Sequence, residues 1–194
     1  MPNWVENDLL ISGNDSDITS LLAHVSSTVH GKRIDLDFSK LIPYPEEYDD
    51  ADRRYLEFNG RLNAIYEPLE KMTPEARRQL KALYKEFGLP NGKHPANGYN
   101  NGGREWCLAN WGTKWNACCV EFEGCALSGK VVIHFKTAWA PPIPVIERMA
   151  SMFPTLEIQH EYYEGGAHFC GSAAYVGGRL VNSVKAPYFG ARGG

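Results

Sequence analysis

Apolar residues recur along the chain with two spacings, every second residue or every third to fourth, and their order predicts the fold. The apolar run NDLLIS, which ends at Gly13, predicts a first strand over about residues 5–12. A helix over residues 16–27 is predicted next, with Asp15 or Ser16 as its N-cap. The apolar face of this helix is formed by Ile18, Leu21, Leu22 and Val25.

The carboxyl-terminal half contains four further predicted elements and a hairpin. Two antiparallel strands are predicted over residues 115–123 and 130–136, followed by a helix over 142–153 and a strand over 155–163. The inward-facing residues of the last strand are Leu156, Ile158, His160 and Tyr162. The final hairpin turns at Gly177-Gly178, because adjacent glycines suit the tight turn between two antiparallel strands.

A stretch of different character separates the two halves. Residues 46–112 are predicted to form a helical insertion, in which one helix begins after Thr73 as its N-cap and ends at Gly88. Without the insertion, the order is the ferredoxin-like βαββαβ arrangement, an α+β fold with an antiparallel sheet. We therefore expect one domain over residues 1–194, with an added C-terminal β-hairpin and a flexible tail over about 186–194.

Composition and charge narrow the classes of function. The 194 residues carry a formal net charge of −3, and the sequence pI is about 6.1. Non-specific nucleic-acid binding depends on clustered Lys and Arg, so this balance argues against it. The N-terminus lacks the pattern of a signal peptide, and no apolar run is long enough to span a membrane. We therefore expect a cytoplasmic protein with no membrane partner.

The cysteines predict reduced thiols rather than a disulfide framework or a metal site. Their number is odd and none forms a CxxC pair; they are Cys107, Cys118, Cys119, Cys125 and Cys170. We expect five free thiols, no metal and no cofactor, and the sequence identifies no catalytic residue. A nucleophilic pair of Cys107 with His134 or His168 stays open, because such pairs meet in space rather than in sequence.

The stretch NGGREWCLANWGTKWNA, residues 101–117, holds three of the chain's five tryptophans and allows two explanations. The tryptophans could tie the insertion to the sheet, or they could line a pocket that stacks a flat ligand. We expect the structural role first, with a short helix that ends at Gly112 and with Trp106 and Trp115 mostly buried. The candidate ligand-binding residues of the second explanation are Arg104, Glu105, Trp106, Trp111, Lys114 and Trp139.

Four motifs resemble those of a known family. They are MPNWVENDLLISG, LIPYPEE, GREWCLANWGTKWNA and FKTAWAPPIPVIERM, and together they span nearly the whole chain. On these motifs the chain resembles the phage- and plasmid-borne YubB ferredoxin-like proteins, whose name describes a fold and implies no iron–sulfur cluster. The resemblance implies a mobile-element origin and a small α+β protein, and it supplies no catalytic residue.

Three hypotheses of function follow. The first is a non-enzymatic binding protein of a phage or plasmid that acts on a host protein, such as a defence or regulatory factor. The second is a small-ligand-binding protein or enzyme with a pocket around the stretch from Trp106 to Trp115. The third is single-stranded nucleic-acid binding through Tyr163, Phe169 and Tyr175 on the open face of the sheet. The sequence does not define an oligomeric state.

Overall fold

The computed structural model describes residues 3–29, 31–65, 72–125 and 128–190. The chain folds into two compact units, a sheet unit of Met1–Pro43 with Glu105–Gly194 and a helical unit of Tyr44–Arg104. The helical unit is shorter than the predicted insertion over residues 46–112, because the chain from Glu105 onward belongs to the sheet unit. None of the helices in the described ranges combines the length and the apolar character that a membrane span requires.

The sheet unit is built on six antiparallel strands in the order β4-β5-β1-β6-β7-β8. The strands are β1 (Trp4–Ser12), β4 (Cys118–Cys125), β5 (Lys130–Ala138), β6 (Glu157–Glu164), β7 (Phe169–Val176) and β8 (Arg179–Pro187). A separate two-stranded ribbon pairs β2 (Ser27–Val29) with β3 (Lys32–Ile34). The first four sheet strands with two helices form the expected βαββαβ core, so the ferredoxin-like α+β fold is confirmed.

Three helices belong wholly or mostly to the sheet unit: α1 (Asp15–Val25), α4 (Gly103–Asn110) and α5 (Ile143–Met152). The N-cap of α1 is Asn14, whose side chain accepts from the backbone N–H of Asp17, and not Asp15 or Ser16 as the sequence predicted. The helix therefore begins one residue earlier, and Asp15 lies in its first turn, where a carboxylate suits the helix dipole.

The core lies on one face of the sheet. Along β1 and β6 buried and more exposed residues alternate, because successive side chains of a strand point to opposite faces. The alternation predicted for β6 is confirmed, since its four predicted inward residues are all buried. Helices α1 and α5 cover this face with their own buried residues Ile18, Leu21, Val25, Val145, Ile146, Met149 and Ala150.

The C-terminal hairpin extends the same sheet by two strands. Its turn is formed by Gly177 and Gly178, which both have positive φ values, 61° and 76°, as the tightest hairpin turns require. Strand β8 continues to Pro187, and the backbone N–H of Tyr188 donates to the carbonyl of His168 at 2.9 Å. The ordered chain therefore extends past residue 186, where the sequence predicted the start of a flexible tail. Residues 191–194 lie outside the described ranges.

The helical unit has a core of its own between α2 (Glu46–Ile65) and α3 (Pro74–Glu86). The core consists of Phe58, Leu83, Tyr84 and Phe87. The predicted cap of α3 is confirmed, because the Thr73 side chain accepts from the backbone N–H of Ala76 at 3.1 Å. Arg61 of α2 forms two hydrogen bonds with the carboxylate of Glu86, at 2.6 and 2.7 Å, which ties the two helices together.

A buried polar network joins the three central strands of the sheet. The amide of Asn7 in β1 donates to the Thr137 hydroxyl of β5 at 3.0 Å, and its oxygen accepts from Nε2 of His160 in β6 at 3.1 Å. His160 is fully buried, and its Nδ1 has no hydrogen-bond partner within the described residues. Burial disfavours the charged imidazolium and lowers the pKa of His160 to about 4.

We expect the sheet unit to lose stability as the pH falls from about 6.5 to about 4. In this window His160 takes up a proton in the unfolded chain but not in the folded chain, because its pKa has the ordinary value of 6.5 in the unfolded chain and is about 4 in the folded chain. The loss amounts to roughly 3 kcal/mol at the acid end of the window. Urea unfolding at pH 7 and pH 4.5 measures it, with His160→Gln as the variant that cannot titrate. A wild-type pH dependence no steeper than that of His160→Gln would contradict the assignment.

Candidate functional site

The tryptophan that begins the WGTKWNA motif belongs to the core. Trp111 is 5% exposed, and its indole N–H donates to the carbonyl of Ile42 at 2.9 Å. Its ring meets Phe38 edge to face with the centroids 5.9 Å apart, and it meets Trp106 in the same way at 5.5 Å. Trp111 therefore anchors the segment around residues 38–42 to the sheet unit and is not available to stack a ligand.

The WGTKWNA motif is also hydrogen-bonded to the end of β5. The Thr113 hydroxyl donates to the carbonyl of Ala138 at 2.9 Å. On the other side, the Asn116 oxygen accepts from the backbone N–H of Phe38 at 2.8 Å, and its amide donates to Asp37 at 2.8 Å. Gly112 has a φ of 78°, and a Cβ at this position would lie 2.9 Å from Pro144. Only glycine fits this bend, so the WGTKWNA and TAWAPPIPV motifs pack against each other.

One of the two tryptophans expected to be mostly buried is more exposed than the sequence predicted. Trp106 is partly buried on α4, in keeping with the expectation, whereas Trp115 is 40% exposed, so the expectation is wrong for Trp115. Trp115 precedes β4, which begins only at Cys118, because residues 111–117 form an irregular bend instead of a strand. Its ring lies 6.1 Å from that of Trp4 and 5.7 Å from the Lys114 ammonium.

We expect Trp111→Ala to lower the free energy of unfolding by about 3–5 kcal/mol, the usual cost of truncating a buried tryptophan. Trp115→Ala should cost about 1 kcal/mol or less, since much of this ring is exposed. Chemical denaturation of both variants tests the contrast. Equal destabilisation by the two substitutions would show that the burial of Trp111 does not determine its role.

Trp139, which directly follows β5, is one of three non-glycine residues with a positive φ in the described part of the chain, together with Cys119 and His168. Its φ is 74°, in the left-handed region that L-residues other than glycine rarely adopt, and its side chain is 53% exposed. The Lys114 ammonium lies 3.6 Å from the centroid of its ring, a close cation–π contact. We refer to Trp4, Lys114, Trp115 and Trp139 as the tryptophan–lysine cluster.

A groove begins at this cluster and runs along the C-terminal hairpin. The larger part is a cavity of about 450 Å³, whose lining includes Trp139, Pro141, Tyr162, Phe169 and Lys185. A smaller cavity of about 180 Å³ shares Ile143, Tyr162 and Lys185 with it and continues to Glu147, Tyr175 and Leu180. We call the two cavities together the α5–β8 groove. Its walls are mostly apolar, with Lys185 and Glu147 as the charged residues among those that line it.

The structure brings together only some of the predicted site residues. Lys114 lies on Trp139 and beside Trp115, as a pocket around this stretch requires. Trp106 instead packs on the core residue Trp111. Arg104 lies in the helical unit, while Glu105 is exposed on α4 in the sheet unit. The residues that the sequence did not identify are those of the α5–β8 groove other than Trp139, because its walls come from an α-helix and three strands without a common motif.

The other face of the sheet is acidic. Its side chains at the centre are Glu6 and Asp8 of β1 with their cross-strand neighbours, among them Glu121, Glu161, His134 and Lys136. Both ring nitrogens of His134 lie within hydrogen-bond distance of carboxylates, Nδ1 of Asp8 at 2.6 Å and Nε2 of Glu123 at 3.3 Å. The hydrogen bond that His134 donates to Asp8 is the main cause that raises the pKa of His134. A nucleophilic pair of His134 with Cys107 is therefore not formed.

The aromatic residues proposed for nucleic-acid binding do not share a face. Tyr163 lies on the acidic face and stacks on Tyr188 at 4.8 Å, whereas Phe169 and Tyr175 have the opposite parity in the register and point toward the helices. Tyr175 is also buried. A stacking platform needs exposed aromatics on one surface, and phosphates are repelled by carboxylates, so this arrangement does not favour the third hypothesis.

The described thiols do not form a metal site. Cys107 is buried, Cys118, Cys119 and Cys170 form no disulfide, and the side chain of Cys125 lies outside what the structure describes. The pKa of Cys118 is raised to about 11, chiefly by burial and further by the neighbouring Cys119. This thiol therefore stays protonated and unreactive at neutral pH. Within the described ranges, no three His, Cys, Asp or Glu side chains converge as a metal ion would need.

Trp139 offers a direct test of the strain in its backbone. We expect Trp139→Gly to be more stable than Trp139→Ala by about 1 kcal/mol, because glycine has no Cβ to clash in the left-handed region. Denaturant unfolding of the two variants gives the difference, and both lack the indole, so the contact with Lys114 cancels. If alanine proved equal to glycine, residue 139 would not be strained in the folded chain.

Comparison with known proteins supports the class that the fold defines, a ferredoxin-like α+β protein. The family model described as the ferredoxin-like domain in Api92-like protein matches residues 110–189, which carry β4 to β8 and α5. The crystal structure of a protein Api92 from Yersinia pseudotuberculosis has the same fold at 14% sequence identity. Its TM-score is 0.52, and the match covers 98% of this chain and 99% of that one. The comparison with curated proteins gives no match.

Residues 110–189 are thus similar to the ferredoxin-like domain in Api92-like protein. The resemblance to phage- and plasmid-borne YubB proteins stays a prediction.

Proposed function

We propose that the protein is a non-enzymatic binding protein of a phage or plasmid, that it acts on a host protein in the cytoplasm of the host cell, and that Trp139 is the centre of its contact surface. The observation that carries the proposal is the conformation of Trp139, a half-exposed tryptophan in a left-handed backbone position.

A tryptophan contributes to stability mainly by burial, and much of this one is exposed. Its backbone conformation costs about 1–2 kcal/mol relative to glycine, which would fit the position better. Residues held in sparsely populated conformations cluster at functional sites, where the surrounding structure fixes them. The fold gains little from an indole here, so its presence is explained best by an interaction with another molecule.

The surroundings of Trp139 fit a protein partner. Interface hot spots are enriched in tryptophan and lie beside pockets that take up a side chain of the partner. The tryptophan–lysine cluster presents Trp115 and Trp139 to solvent beside Lys114, and the larger cavity opens next to them. Exposed aromatic residues with a neighbouring cation would bind an apolar side chain flanked by an acid.

The second candidate function is small-ligand binding in the same cavity. Its volume of about 450 Å³ is within the range of ligand pockets, and Tyr162, Phe169 and Lys185 would hold an aromatic anion. The two candidates differ in the mass of the bound molecule. Native mass spectrometry of protein purified from host cells distinguishes them, because it would reveal a retained small molecule.

A photo-crosslinking amino acid at position 139 tests the main proposal in cells that carry the mobile element. We expect a crosslink to one host protein, and no such crosslink from position 56. Leu56 is 64% exposed and lies in the helical unit, which makes it a matched control.

Purified host protein should then bind Trp139→Ala on the order of tenfold more weakly than wild type, since hot-spot truncations cost more than 1 kcal/mol, whereas Leu56→Ala should bind within twofold. Unchanged binding of Trp139→Ala would remove Trp139 from the contact surface. A small molecule retained by wild type and lost from Trp139→Ala would favour the second candidate.

A further inference from the structure

The sheet has two outer strands, and their edges differ. Each edge has one register shift, in β4 between Cys118 and Glu121 and in β8 at Val181, so the regular pairing of β8 with β7 runs from Asn182 to Pro187. Strand β8 pairs only with β7, and its nine residues are all exposed. The edges differ in charge, because β4 carries Glu121 and Glu123 whereas the charged residues of β8 are cationic. Of the two edges, only β8 therefore suits an acidic strand.

Strand β8 is also apolar and cationic. Leu180, Val181 and Val184 are among its exposed side chains. Residues 165–190 contain no Asp or Glu, and their charged residues other than His168 are Arg179 and Lys185. Neither of these two forms an ion pair with any residue in the described part of the chain. The hairpin therefore presents positive charge without internal neutralisation.

The α5–β8 groove lies beside this edge and contains a buried polar group that lacks a partner. Tyr175 lines the smaller cavity, and its hydroxyl is buried and makes no hydrogen bond to any described residue. Burial raises the pKa of Tyr175 to about 12, so the hydroxyl keeps its proton and can donate. A buried donor without an acceptor is stabilised by a group that enters the cavity.

We propose that β8 accepts an extended segment of a partner protein as a seventh strand of the sheet, and that this segment places a carboxylate beside Lys185. The main chain of the segment would pair with the free edge of β8, and alternate side chains would enter the α5–β8 groove. The inference rests on the proposed function. The end of the partner segment that pairs near Pro187 would lie beside Trp139, because Pro187 and Trp139 line the same cavity.

The charges decide between a partner segment and a second copy of this chain. Two β8 strands would bring two cationic hairpins together with no acidic residue between them, and like charges across a strand pair are destabilising. An acidic segment instead meets Lys185. Glu147 lies in the smaller cavity, so the carboxylate belongs at the Trp139 end and a neutral side chain beside Glu147.

Hydrogen exchange on the full chain tests strand addition with two synthetic peptides of the length of β8. One alternates Glu with Val, and the other alternates Lys with Val. We expect the Glu peptide to slow amide exchange along β8 and to leave β4 unchanged, because only a paired edge protects its backbone N–H groups. Slower exchange at β4, no protection at either edge, or equal protection by the Lys peptide each overturns the proposal. Protection of β8 that grows with protein concentration alone overturns it in favour of a second copy.

Charge reversal separates this inference from the proposed function. Lys185→Glu should weaken the Glu peptide about fivefold, the effect of losing one exposed charge contact, and should favour the Lys peptide. Lys81→Glu, on an exposed position of the helical unit, should change neither affinity. If Lys185→Glu has no effect, strand addition beside Lys185 fails, whatever Trp139→Ala does to the host protein. If only the Trp139→Ala effect on the host protein is absent, the proposed contact surface fails and the strand addition stands.

Discussion

The site depends on one peptide group, the unit between Ala138 and Trp139, which is held from both sides. Its carbonyl accepts from the Thr113 hydroxyl at 2.9 Å, and its N–H donates to the carbonyl of Asn3 at 2.9 Å. One residue earlier, the Thr137 hydroxyl donates to the carbonyl of Ala140 at 2.9 Å. These bonds fix the plane of the peptide and leave Trp139 in a left-handed conformation that it would not adopt alone.

The same strand end is tied into the centre of the sheet. Thr137 accepts a hydrogen bond from Asn7, and Asn7 binds His160, so one polar network fixes β5, β1 and β6 against each other. Because side chains alternate along a strand, a slip of one residue would turn Asn7 to the acidic face and bury a neighbouring acid. The network therefore specifies register, at the cost of a buried histidine that cannot take up a proton without loss of stability.

The periodic parts of the chain were predictable, and the irregular parts were not. The alternation of β6 and the capping of α3 come from contacts between residues close in sequence, which a spacing rule describes. Residues 111–117 have no period, and the burial of each is set by segments far away in sequence. Trp111 is buried because Ile42 and Phe38 reach it, and Trp115 is exposed because the bend directs it outward. From the sequence, Lys114 and Trp139 of the tryptophan–lysine cluster could be identified. The walls of the α5–β8 groove could not, because the order of the strands in the sheet brings their residues together.

The two features of the proposed binding surface differ in rigidity, and this difference fits their roles. Trp139 is fixed by hydrogen bonds on both sides, so its backbone loses little further freedom when a partner binds, which favours affinity. Strand β8 has its outer backbone groups free for a new partner, so a segment that pairs with it gains hydrogen bonds without displacing any part of the sheet. Trp139 would recognise side chains of the partner, whereas the open edge of β8 would pair with its main chain. Together they would select an extended partner by the side chains at one end of the strand, since the main-chain bonds along the rest do not depend on sequence.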